Sequence, residues 1–278
     1  MRLVLTGGTG LVGQFLLAEA LAAGDRVTLL GRTAHSACAH LPWSLDTPVP
    51  DLSGHDALIH CAFDHVPGRY RGGEGDDPAG FTARNLDGTR RLFDTAATAG
   101  LSRIVFLSSR AVLSGHPPGT TLTEDMPPSP DTLYGEIKAG AETHLAALPL
   151  TGTALRATGI YGPAPGEKAH KWAGLFADYL SGRPIAPRRG TELHGQDLAT
   201  AVRLCLTHGL AGAVHASDIT LDRHDLLTEV QRLTACPHPP PPQSDAPVSA
   251  LDCTKLRALG WRPGGWAKLR ASLPDLLA

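Results

Sequence analysis

A tyrosine and a lysine four residues apart, Tyr134 and Lys138, are the side chains of this sequence best placed for acid–base chemistry. On a helix such a pair shares one face. A phenol in water titrates near ~10, and a neighbouring ammonium favours the phenolate and brings its pKa toward neutrality. Ser108 and Ser109 end an earlier apolar run, and a hydroxyl there can hydrogen-bond a reacting oxygen. Ser109 or Ser108, Tyr134 and Lys138 therefore predict a site for proton transfer.

A glycine-rich stretch near the N-terminus indicates what this site works with. Gly7, Gly10 and Gly13 follow an apolar run, Arg2–Leu5, and precede helical spacing over Gln14–Ala22. A strand, a glycine turn and a helix start form a dinucleotide site, in which the helix amides face the pyrophosphate. Gly7 permits the turn, Gly10 the approach of the phosphates, and Gly13 close helix–strand packing. The alternative is a tight turn that binds no ligand.

The end of the second predicted strand, Arg26–Leu30, indicates which cofactor is bound. There an acidic residue binds the ribose 2′-hydroxyl, whereas an arginine accommodates a 2′-phosphate. This end carries Arg32 and no acidic residue, which favours NADP over NAD. The alternative is a surface arginine that stacks on adenine without selecting for phosphate. Asp46, after a predicted third strand around Leu41–Leu45, is a candidate either for the adenine pocket or for a turn.

Two further apolar runs, Ala57–Ala62 and Arg103–Leu107, are predicted as strands whose ends lie beside the cofactor. His60 lies inside the first, and we interpret it as a packed, hydrogen-bonded residue rather than a catalyst. The polar, glycine-rich stretch from Phe63 to Gly80 is predicted as a loop over the site, and a helix is predicted from about Phe81 to Ala99.

The alternation of strands and helices predicts a doubly wound α/β fold with a parallel sheet, a Rossmann fold. Residues 1–160, with a returning strand near 212–217, are predicted to form the NAD(P)-binding domain. Residues 161–278 are predicted to form a small, interleaved substrate-binding part.

The composition argues against several classes of partner. The chain has 278 residues, 42% of them hydrophobic, and a net charge of -2, so nothing favours binding to nucleic acid or to an anionic membrane. No apolar run approaches the ~20 residues that span a bilayer, and a strand at the N-terminus leaves no room for a signal peptide. The five cysteines are scattered and never spaced as Cys-x-x-Cys, which argues against disulfides and a metal site. We expect a cytoplasmic protein with a small-molecule substrate.

The order and spacing of these motifs resemble the extended short-chain dehydrogenase/reductase family, in its sugar-nucleotide epimerase/dehydratase group, over essentially the full length. The matching stretches are Thr6–Gly13, Ala57–Ala62, Asn85–Thr89, Ser108–Val112, Glu124–Pro130, Tyr134–Lys138, Arg156 with Tyr161–Pro163, and Lys255–Trp261. The resemblance implies that Tyr134 is the general acid/base, that Lys138 holds the nicotinamide ribose and tunes Tyr134, and that Ser109 orients the substrate oxygen.

The resemblance also implies a set of cofactor-binding residues, with Asn85 supporting the site from the helix behind it. The set consists of Gly7, Thr9, Gly10, Leu11, Val12, Gly13, Arg32, Asp46, Cys61, Ala62, Asn85, Tyr134, Lys138, Thr158 and Ile160. Members of the family often associate through the helix that carries the tyrosine, which would allow a homodimer here.

Departures from the family pattern bear on the reaction. Dehydratases of this group typically carry Thr-Asp-Glu where this chain has Ser109-Arg110-Ala111, so dehydration is not expected. The family arginine that grips a nucleotide-sugar diphosphate is out of register. Arg188 or Arg189 would replace it, or both are solvated loop charges. We expect His194 and Asp197 to anchor this segment rather than to catalyse.

We therefore expect an NADPH-dependent reductase or dehydrogenase that acts on a carbonyl/alcohol pair. Arg32 favours a cofactor that exchanges, whereas epimerases of this family keep a tightly held NAD. A sugar-nucleotide 4-epimerase is the alternative within the enzyme class. A non-catalytic NADP-binding regulator is the alternative from another class.

Overall fold

A computed structural model describes residues 1–66, 73–166 and 170–278, and the structural statements below concern these residues. Positions 67–72, in the middle of the predicted loop over the site, lie outside this range. The described residues form twelve strands: β1 (Arg2–Thr6), β2 (Arg26–Gly31), β3 (Ala39–Pro42), β4 (Ala57–His60), β5 (Arg103–Ser109), β6 (Thr121–Leu122), β7 (Thr151–Ala157), β8 (Gly159–Tyr161), β9 (Arg189–His194), β10 (Gly212–Ala216), β11 (Ile219–Asp222) and β12 (Ala250–Leu251).

The same residues form nine α-helices: α1 (Gly13–Ala22), α2 (Pro78–Thr82), α3 (Gly88–Thr98), α4 (Leu133–Ala146), α5 (Ala173–Leu180), α6 (Gly195–His208), α7 (Arg223–Thr234), α8 (Thr254–Ala258) and α9 (Gly265–Leu277). A π-helical turn, Ala83–Asp87, joins α2 to α3, so the helix predicted from Phe81 to Ala99 is built from three helical pieces. None of these helices is long and apolar enough to span a lipid bilayer.

Seven parallel strands form the central sheet, in the order β10-β7-β5-β4-β1-β2-β3. The chain winds outward in one direction from β1 through β2 and β3, and in the other from β4 through β5 and β7. This confirms the predicted doubly wound fold. The order reverses between β1 and β4, and ligands of such sheets bind beyond the carboxyl ends of the strands at this point.

Two hydrophobic layers cover the sheet because alternate side chains of a strand face opposite sides. Leu3 and Leu5 of β1 pack in one core with the inner faces of α1 and α6. Val4, between them, packs in the other core with α3 and α4. The side chains of Leu3, Val4 and Leu5 have no measurable exposure. A parallel strand buried on both faces therefore has an uninterrupted apolar sequence.

Two strands of the central sheet differ from the sequence-based expectation. The third strand was predicted around Leu41–Leu45 but pairs with β2 over Ala39–Pro42. Trp43 and Leu45 are buried in the core without being part of the strand, so their apolar character reports burial rather than strand pairing. The strand β7 was not predicted, because its polar residues Thr153 and Arg156 interrupt the apolar pattern although both are buried.

The open edge of the sheet at β10 is closed by an ion pair rather than by another strand. Glu124 accepts a hydrogen bond from the backbone N–H of His215 at 2.8 Å. Lys255 donates to the backbone carbonyl of Ala213 at 2.9 Å, and its Nζ lies 3.3 Å from a Glu124 carboxylate oxygen. Two stretches that carried the family resemblance therefore protect an edge strand, which would otherwise offer unpaired backbone groups to another chain.

A smaller layer follows β7 in the chain. Strands β11, β9 and β8 form a three-stranded sheet. An aromatic cluster that includes Tyr161, Trp172 and Phe176 packs this sheet against α5, α7 and α9. Between these elements the chain returns to the main sheet through α6 and β10, so the two layers are interleaved in sequence.

His194 and Asp197 anchor this smaller layer, as expected from the sequence. His194 is 2% exposed, its Nδ1 accepts a backbone N–H at 3.1 Å, and its Nε2 bonds the Ser272 hydroxyl at 3.1 Å. Burial lowers the pKa of His194 to about 4. The Asp197 carboxylate accepts from Lys268 Nζ at 2.7 Å and from the Gly264 N–H at 3.0 Å. Both side chains are occupied by bonds that fix α6 against α9.

Candidate active site

The glycine turn between β1 and α1 has little room for side chains at Gly7 and Gly13, two of the three glycines predicted to form the dinucleotide site. Gly7 has φ +67°, and a Cβ there would lie 2.7 Å from the Ala62 backbone nitrogen. A Cβ on Gly13 would overlap the Gly7 carbonyl oxygen. A Cβ on Gly10, in contrast, would meet only the Gly7 oxygen, at 3.4 Å. Gly7 and Gly13 are thus required by the turn itself, whereas Gly10 leaves open space at its surface.

This difference gives a direct test of what the turn binds. We expect Gly13→Ala to destabilise the fold by roughly 1–3 kcal/mol, because the new methyl group must displace the backbone of the turn. Gly10→Ala should leave the melting temperature nearly unchanged but weaken dinucleotide binding, because its methyl group would occupy the phosphate-facing side of the turn. Thermal melts and NADH titrations of both variants check this. Equal effects on stability would contradict the assignment.

The N-terminus of α1 is available to a ligand. Its N-cap residue is Val12, and within the described chain no side chain caps this end of the helix. The Gln14 and Phe15 N–H groups donate to the carbonyl oxygens of Gly10 and Val12 at 3.1 Å and 3.2 Å, and the positive end of the helix dipole favours a phosphate at this position. The turn and helix end therefore fit a dinucleotide pyrophosphate.

His60 is confirmed as a packed residue. It has no measurable exposure, its Nδ1 lies 2.7 Å from the Thr6 hydroxyl, and its Nε2 lies 3.0 Å from the Thr89 hydroxyl. Its ring stacks on Phe106 with centroids 5.6 Å apart. Burial lowers the pKa of His60 to about 3, so the imidazole is neutral and joins β1 to α3.

Lys138 and Tyr134 lie on α4, which Thr132 caps by accepting the Gly135 N–H at 3.2 Å. Lys138 Nζ donates to the carbonyl oxygen of Leu107 at 2.8 Å, near the carboxyl end of β5. The backbone at Gly135 packs so closely on Ala111 that a Cβ there would lie 2.5 Å from the Ala111 oxygen. The start of α4 is therefore held against the end of β5.

The two serines at the end of β5 differ in burial and in hydrogen-bond partners. Ser108 is 3% exposed, and its hydroxyl donates to the buried carboxylate of Glu142. Ser109 is half-buried, and its Oγ accepts the Ala111 N–H at 3.1 Å and starts a short 3₁₀ turn. Of the two alternatives left open by the sequence, Ser109 is thus the serine whose hydroxyl hydrogen is not committed to Glu142.

Lys138 is in an unusually dry environment. It is 3% exposed, and burial lowers its pKa to about 7, against the opposing influence of Cys61 and Glu142. The rings of Phe106 and Phe63 lie 4.5 Å and 4.7 Å from its Nζ. The Phe63 ring also meets the Tyr134 ring edge-on, with centroids 5.0 Å apart. Sequence reasoning missed Phe63, because it lies in a stretch interpreted as polar loop.

A buried ion pair between Glu142 and Arg156 holds α4, the helix of Tyr134 and Lys138, against the sheet. Glu142 lies eight residues after Tyr134 on α4, and it accepts hydrogen bonds from Arg156 Nε at 3.1 Å and Nη2 at 2.7 Å. Arg156 is 3% exposed on β7. With the Ser108 hydroxyl, this pair ties α4 to both β5 and β7. The spacing of Glu142 from Tyr134 and Lys138 was the available sequence signal, since residues 134, 138 and 142 share a helix face.

Asn85 holds the chain segment that follows β4. Its Oδ1 accepts the Asp64 N–H at 2.7 Å, and its Nδ2 donates to the carbonyl oxygens of Asp64 at 2.8 Å and Phe81 at 3.0 Å. Both amide hydrogens are therefore used within the protein. The π-helical turn around Asn85 allows its side chain to reach this segment.

The remaining residues expected at the cofactor lie around the same edge of the sheet. Arg32 is exposed directly after β2. Asp46 accepts a hydrogen bond from the Ser44 hydroxyl, which lowers its pKa, within a turn closed by Ser44 and Thr47. Thr9 and Leu11 lie in the glycine turn, and the backbone N–H groups of Cys61 and Ala62 donate to the Thr6 hydroxyl. The Thr158 hydroxyl bonds the Ser217 hydroxyl. Ile160 lines a small cavity with Leu11 and Val12.

A cationic group lies in the smaller layer, and one of its members borders that cavity. Lys171, which also lines the cavity, forms an ion pair with Glu192 on β9. Arg188 lies near enough to both to affect their pKa values, and it lowers the pKa of Arg223 along with burial. Lys171, Arg188 and Arg223 therefore place three cations around the Glu192 carboxylate, which is paired with Lys171. Arg189, the other predicted substitute, is exposed at the start of β9.

The doubly wound sheet, its glycine turn and the tyrosine–lysine pair beside the end of β5 define an NAD(P)-dependent enzyme of the short-chain dehydrogenase/reductase superfamily. Within this superfamily, the model of the NAD dependent epimerase/dehydratase family matches residues 3–216. The chain therefore belongs to that family, as the sequence motifs predicted.

Known proteins similar to the chain include epimerases and a reductase. A UDP-glucose 4-epimerase of Mycolicibacterium smegmatis is 25% identical, over 95% of this chain and 94% of that protein. A 3-diazoavenalumate denitrifying reductase of a Streptomyces species is 28% identical, over 78% of this chain and 76% of that protein. The crystal structure of Thermus thermophilus UDP-glucose 4-epimerase in complex with NAD superimposes with a TM-score of 0.81 at 22% identity, covering 100% of this chain and 99% of that one.

Proposed function

We propose that this protein transfers hydride at a carbon that alternates between alcohol and carbonyl. In this proposal Tyr134 moves the proton at the substrate oxygen, Ser109 orients that oxygen by a hydrogen bond, and Lys138 favours the tyrosinate. The main support for the proposal is that α4 is held against the end of β5. The bond from Lys138 Nζ to Leu107 O, at 2.8 Å, holds the helix bearing Tyr134 beside the strand end bearing Ser109.

A nicotinamide cofactor fits the glycine turn, because Gly10 leaves space there and the positive end of the α1 dipole, which no described side chain caps, lies beside it. When bound, it would supply the hydride acceptor or donor. The residues proposed to hold it are Gly7, Thr9, Gly10, Leu11, Val12 and Gly13 at the turn, Arg32 and Asp46 at the adenosine side, Cys61 and Ala62 after β4, and Tyr134, Lys138, Thr158 and Ile160 at the nicotinamide side, with Asn85 supporting the site from the helix behind it.

Epimerisation of a sugar nucleotide at one carbinol carbon is the reaction we favour. The support is the full-length similarity to UDP-glucose 4-epimerases, together with the cationic group formed by Lys171, Arg188 and Arg223. In this proposal residues 161–278 bind the substrate, and Arg188 contributes to binding its diphosphate. This reverses the order of preference reached from sequence alone, because Arg32 is a weaker guide than similarity along the whole chain.

A reductase that uses exchangeable NADPH is the second candidate. Two observations favour it: Arg32 lies exposed directly after β2, where a 2′-phosphate would be recognised, and a similar Streptomyces protein is a reductase. In this case Tyr134 would protonate the substrate oxygen as the carbonyl is reduced, and the substrate need not be a sugar nucleotide.

Identification of the nucleotide that purifies with the protein separates the two candidates. The protein is denatured in acid, any released nucleotide is identified by mass, and the protein is titrated in parallel with NADH and NADPH. Stoichiometric retained NAD is the expected result for an epimerase. An empty protein that selects NADPH, and loses that selectivity in Arg32→Ala, would instead establish the reductase. Arg183→Ala serves as the control, since Arg183 is an exposed arginine paired with Asp178 in the smaller layer.

A further inference from the structure

The Lys138 ammonium is enclosed on the sides that the described residues occupy. Its Nζ donates to Leu107 O at 2.8 Å and lies 4.5 Å from the centroid of the Phe106 ring and 4.7 Å from that of Phe63. With Lys138 only 3% exposed, a ligand has almost no access to this group. An oxygen that accepts a hydrogen bond from an ammonium must come within about 3 Å of the nitrogen. A neighbour must therefore move before Lys138 can bond a cofactor.

These three neighbours differ in their freedom to move, and a fourth group, the Tyr134 ring 5.7 Å from Nζ, lies on the same helix as Lys138. Leu107 is part of β5, where it pairs with Leu155 of β7. Phe106 is 2% exposed and is held between the rings of His60 and Phe93, with centroids 5.6 Å and 5.5 Å away. Phe63 is half-buried and follows β4 rather than lying inside the sheet. Of these three, Phe63 is the one that can leave without breaking the sheet or its core.

We propose that Phe63 is a further residue of the cofactor site, whose ring covers Lys138 and is displaced when a cofactor ribose binds. The inference rests on the proposed function, because a contact between Lys138 and the ribose is what displaces the ring. In the covered state the ring contacts Tyr134 edge-on at 5.0 Å and Phe81 at 5.5 Å between centroids.

The displacement is a rotation of the side chain, because the backbone beside it is fixed. Asp64 bonds the Asn85 side chain through both its N–H, at 2.7 Å, and its carbonyl oxygen, at 2.8 Å. The Asp64 carboxylate also accepts from Arg84 Nε at 2.7 Å. Phe63 is thus attached to an anchored residue on its C-terminal side, and its ring can turn about its own side-chain bonds.

Covering of Lys138 by the Phe63 ring should lower the affinity for the cofactor. The ring–ammonium contact and the ring–ring contacts must be given up on binding, so only the fraction of molecules with Lys138 uncovered binds the cofactor. Removing the ring should therefore tighten binding. From typical strengths of such contacts, we expect Phe63→Ala to bind NADH about five- to twentyfold more tightly than the wild-type chain. Loss of a merely structural side chain would weaken binding instead.

The experiment is a fluorescence titration of the full chain with NADH and with NADPH, after removal of any nucleotide that purifies with it. Phe63→Ala is compared with Phe63→Leu, which keeps an apolar side chain without an aromatic face and should bind with intermediate affinity. Phe176→Leu, in the aromatic cluster of the smaller layer, is the matched control and should not gain affinity. Melting temperatures show which variants are folded. If Phe63→Ala does not fold, Phe63→Leu alone carries the comparison.

The outcomes separate this inference from the proposed function. Tighter binding by the folded Phe63 variants, but not by Phe176→Leu, supports the proposal that the Phe63 ring covers Lys138. Unchanged or weaker binding by Phe63 variants, with a wild-type chain that binds NADH or NADPH, overturns the cover and leaves the proposed function intact. A wild-type chain that binds neither nucleotide overturns the proposed function and the inference with it.

Discussion

Replacement of Tyr134 by phenylalanine should reduce turnover by roughly 10²–10⁴-fold while cofactor binding persists, because the change removes only the hydroxyl proposed to move the proton. The ring that remains can make the same edge-to-face contact with Phe63, whose centroid lies 5.0 Å away, so the covered arrangement around Lys138 is unchanged before the cofactor binds. Turnover is measured as interconversion of UDP-glucose and UDP-galactose for the epimerase, or as NADPH oxidation with a panel of carbonyl compounds for the reductase.

Tyr179→Phe is the matched control for this experiment. The Tyr179 hydroxyl donates to the carbonyl oxygen of His238 at 2.7 Å in the smaller layer, away from β5 and α4. Its removal should cost a little stability and leave turnover unchanged. Unchanged turnover in Tyr134→Phe would refute the assigned chemistry. A wild-type chain that binds the cofactor but turns over neither kind of substrate would favour the non-catalytic regulator.

The second large effect is expected at the buried ion pair, where Arg156→Met should destabilise the fold by about 3–5 kcal/mol. The substitution leaves the Glu142 carboxylate, in a residue 9% exposed, with the Ser108 hydroxyl but without its cation. An unpaired buried charge costs more than the pair contributes when intact. Denaturant unfolding of the wild-type and variant chains measures this free energy.

Two further variants test the reason for this loss. The double variant Arg156→Met with Glu142→Leu also removes the unpaired Glu142 carboxylate, and it should recover much of the lost stability. Arg183→Met breaks an exposed ion pair with Asp178, in which the Arg183 side chain is 71% exposed, and it should change stability by no more than about 1 kcal/mol. A double variant as unstable as Arg156→Met would show that packing, rather than the unpaired charge, is responsible.

Much of the fold and of the site was predictable from the sequence because the signals are local. The strand before Gly7 and the helix after Gly13 are buried on the sheet and read as apolar patterns. Tyr134 and Lys138 share a helix face by spacing alone. The interpretation of His60 as a packed residue was also confirmed, since a polar residue inside a buried strand must find partners. It found them in the Thr6 and Thr89 hydroxyls.

Other features depended on residues distant in the chain, and no local pattern could show them. Strand β7 carries the buried residues Thr153 and Arg156, so it lacks an apolar signature. The burial of Arg156 is understandable only once α4 brings Glu142 to it. Trp43 and Leu45 gave an apolar signal that belongs to core packing and not to β3.

The sequence by itself determined the class of fold, the dinucleotide turn and the tyrosine–lysine pair, because each follows from residue type and spacing within one or two neighbouring elements. Only the tertiary structure showed that the Ser108 hydroxyl donates to Glu142, which leaves Ser109 as the serine proposed to orient the substrate oxygen, because successive side chains of a strand face opposite sides. It also brought Phe63 over Lys138, seventy-five positions later in the chain, because β4 and β5 are neighbours in the sheet. Such contacts arise from chain folding over long sequence separations, where spacing carries no information.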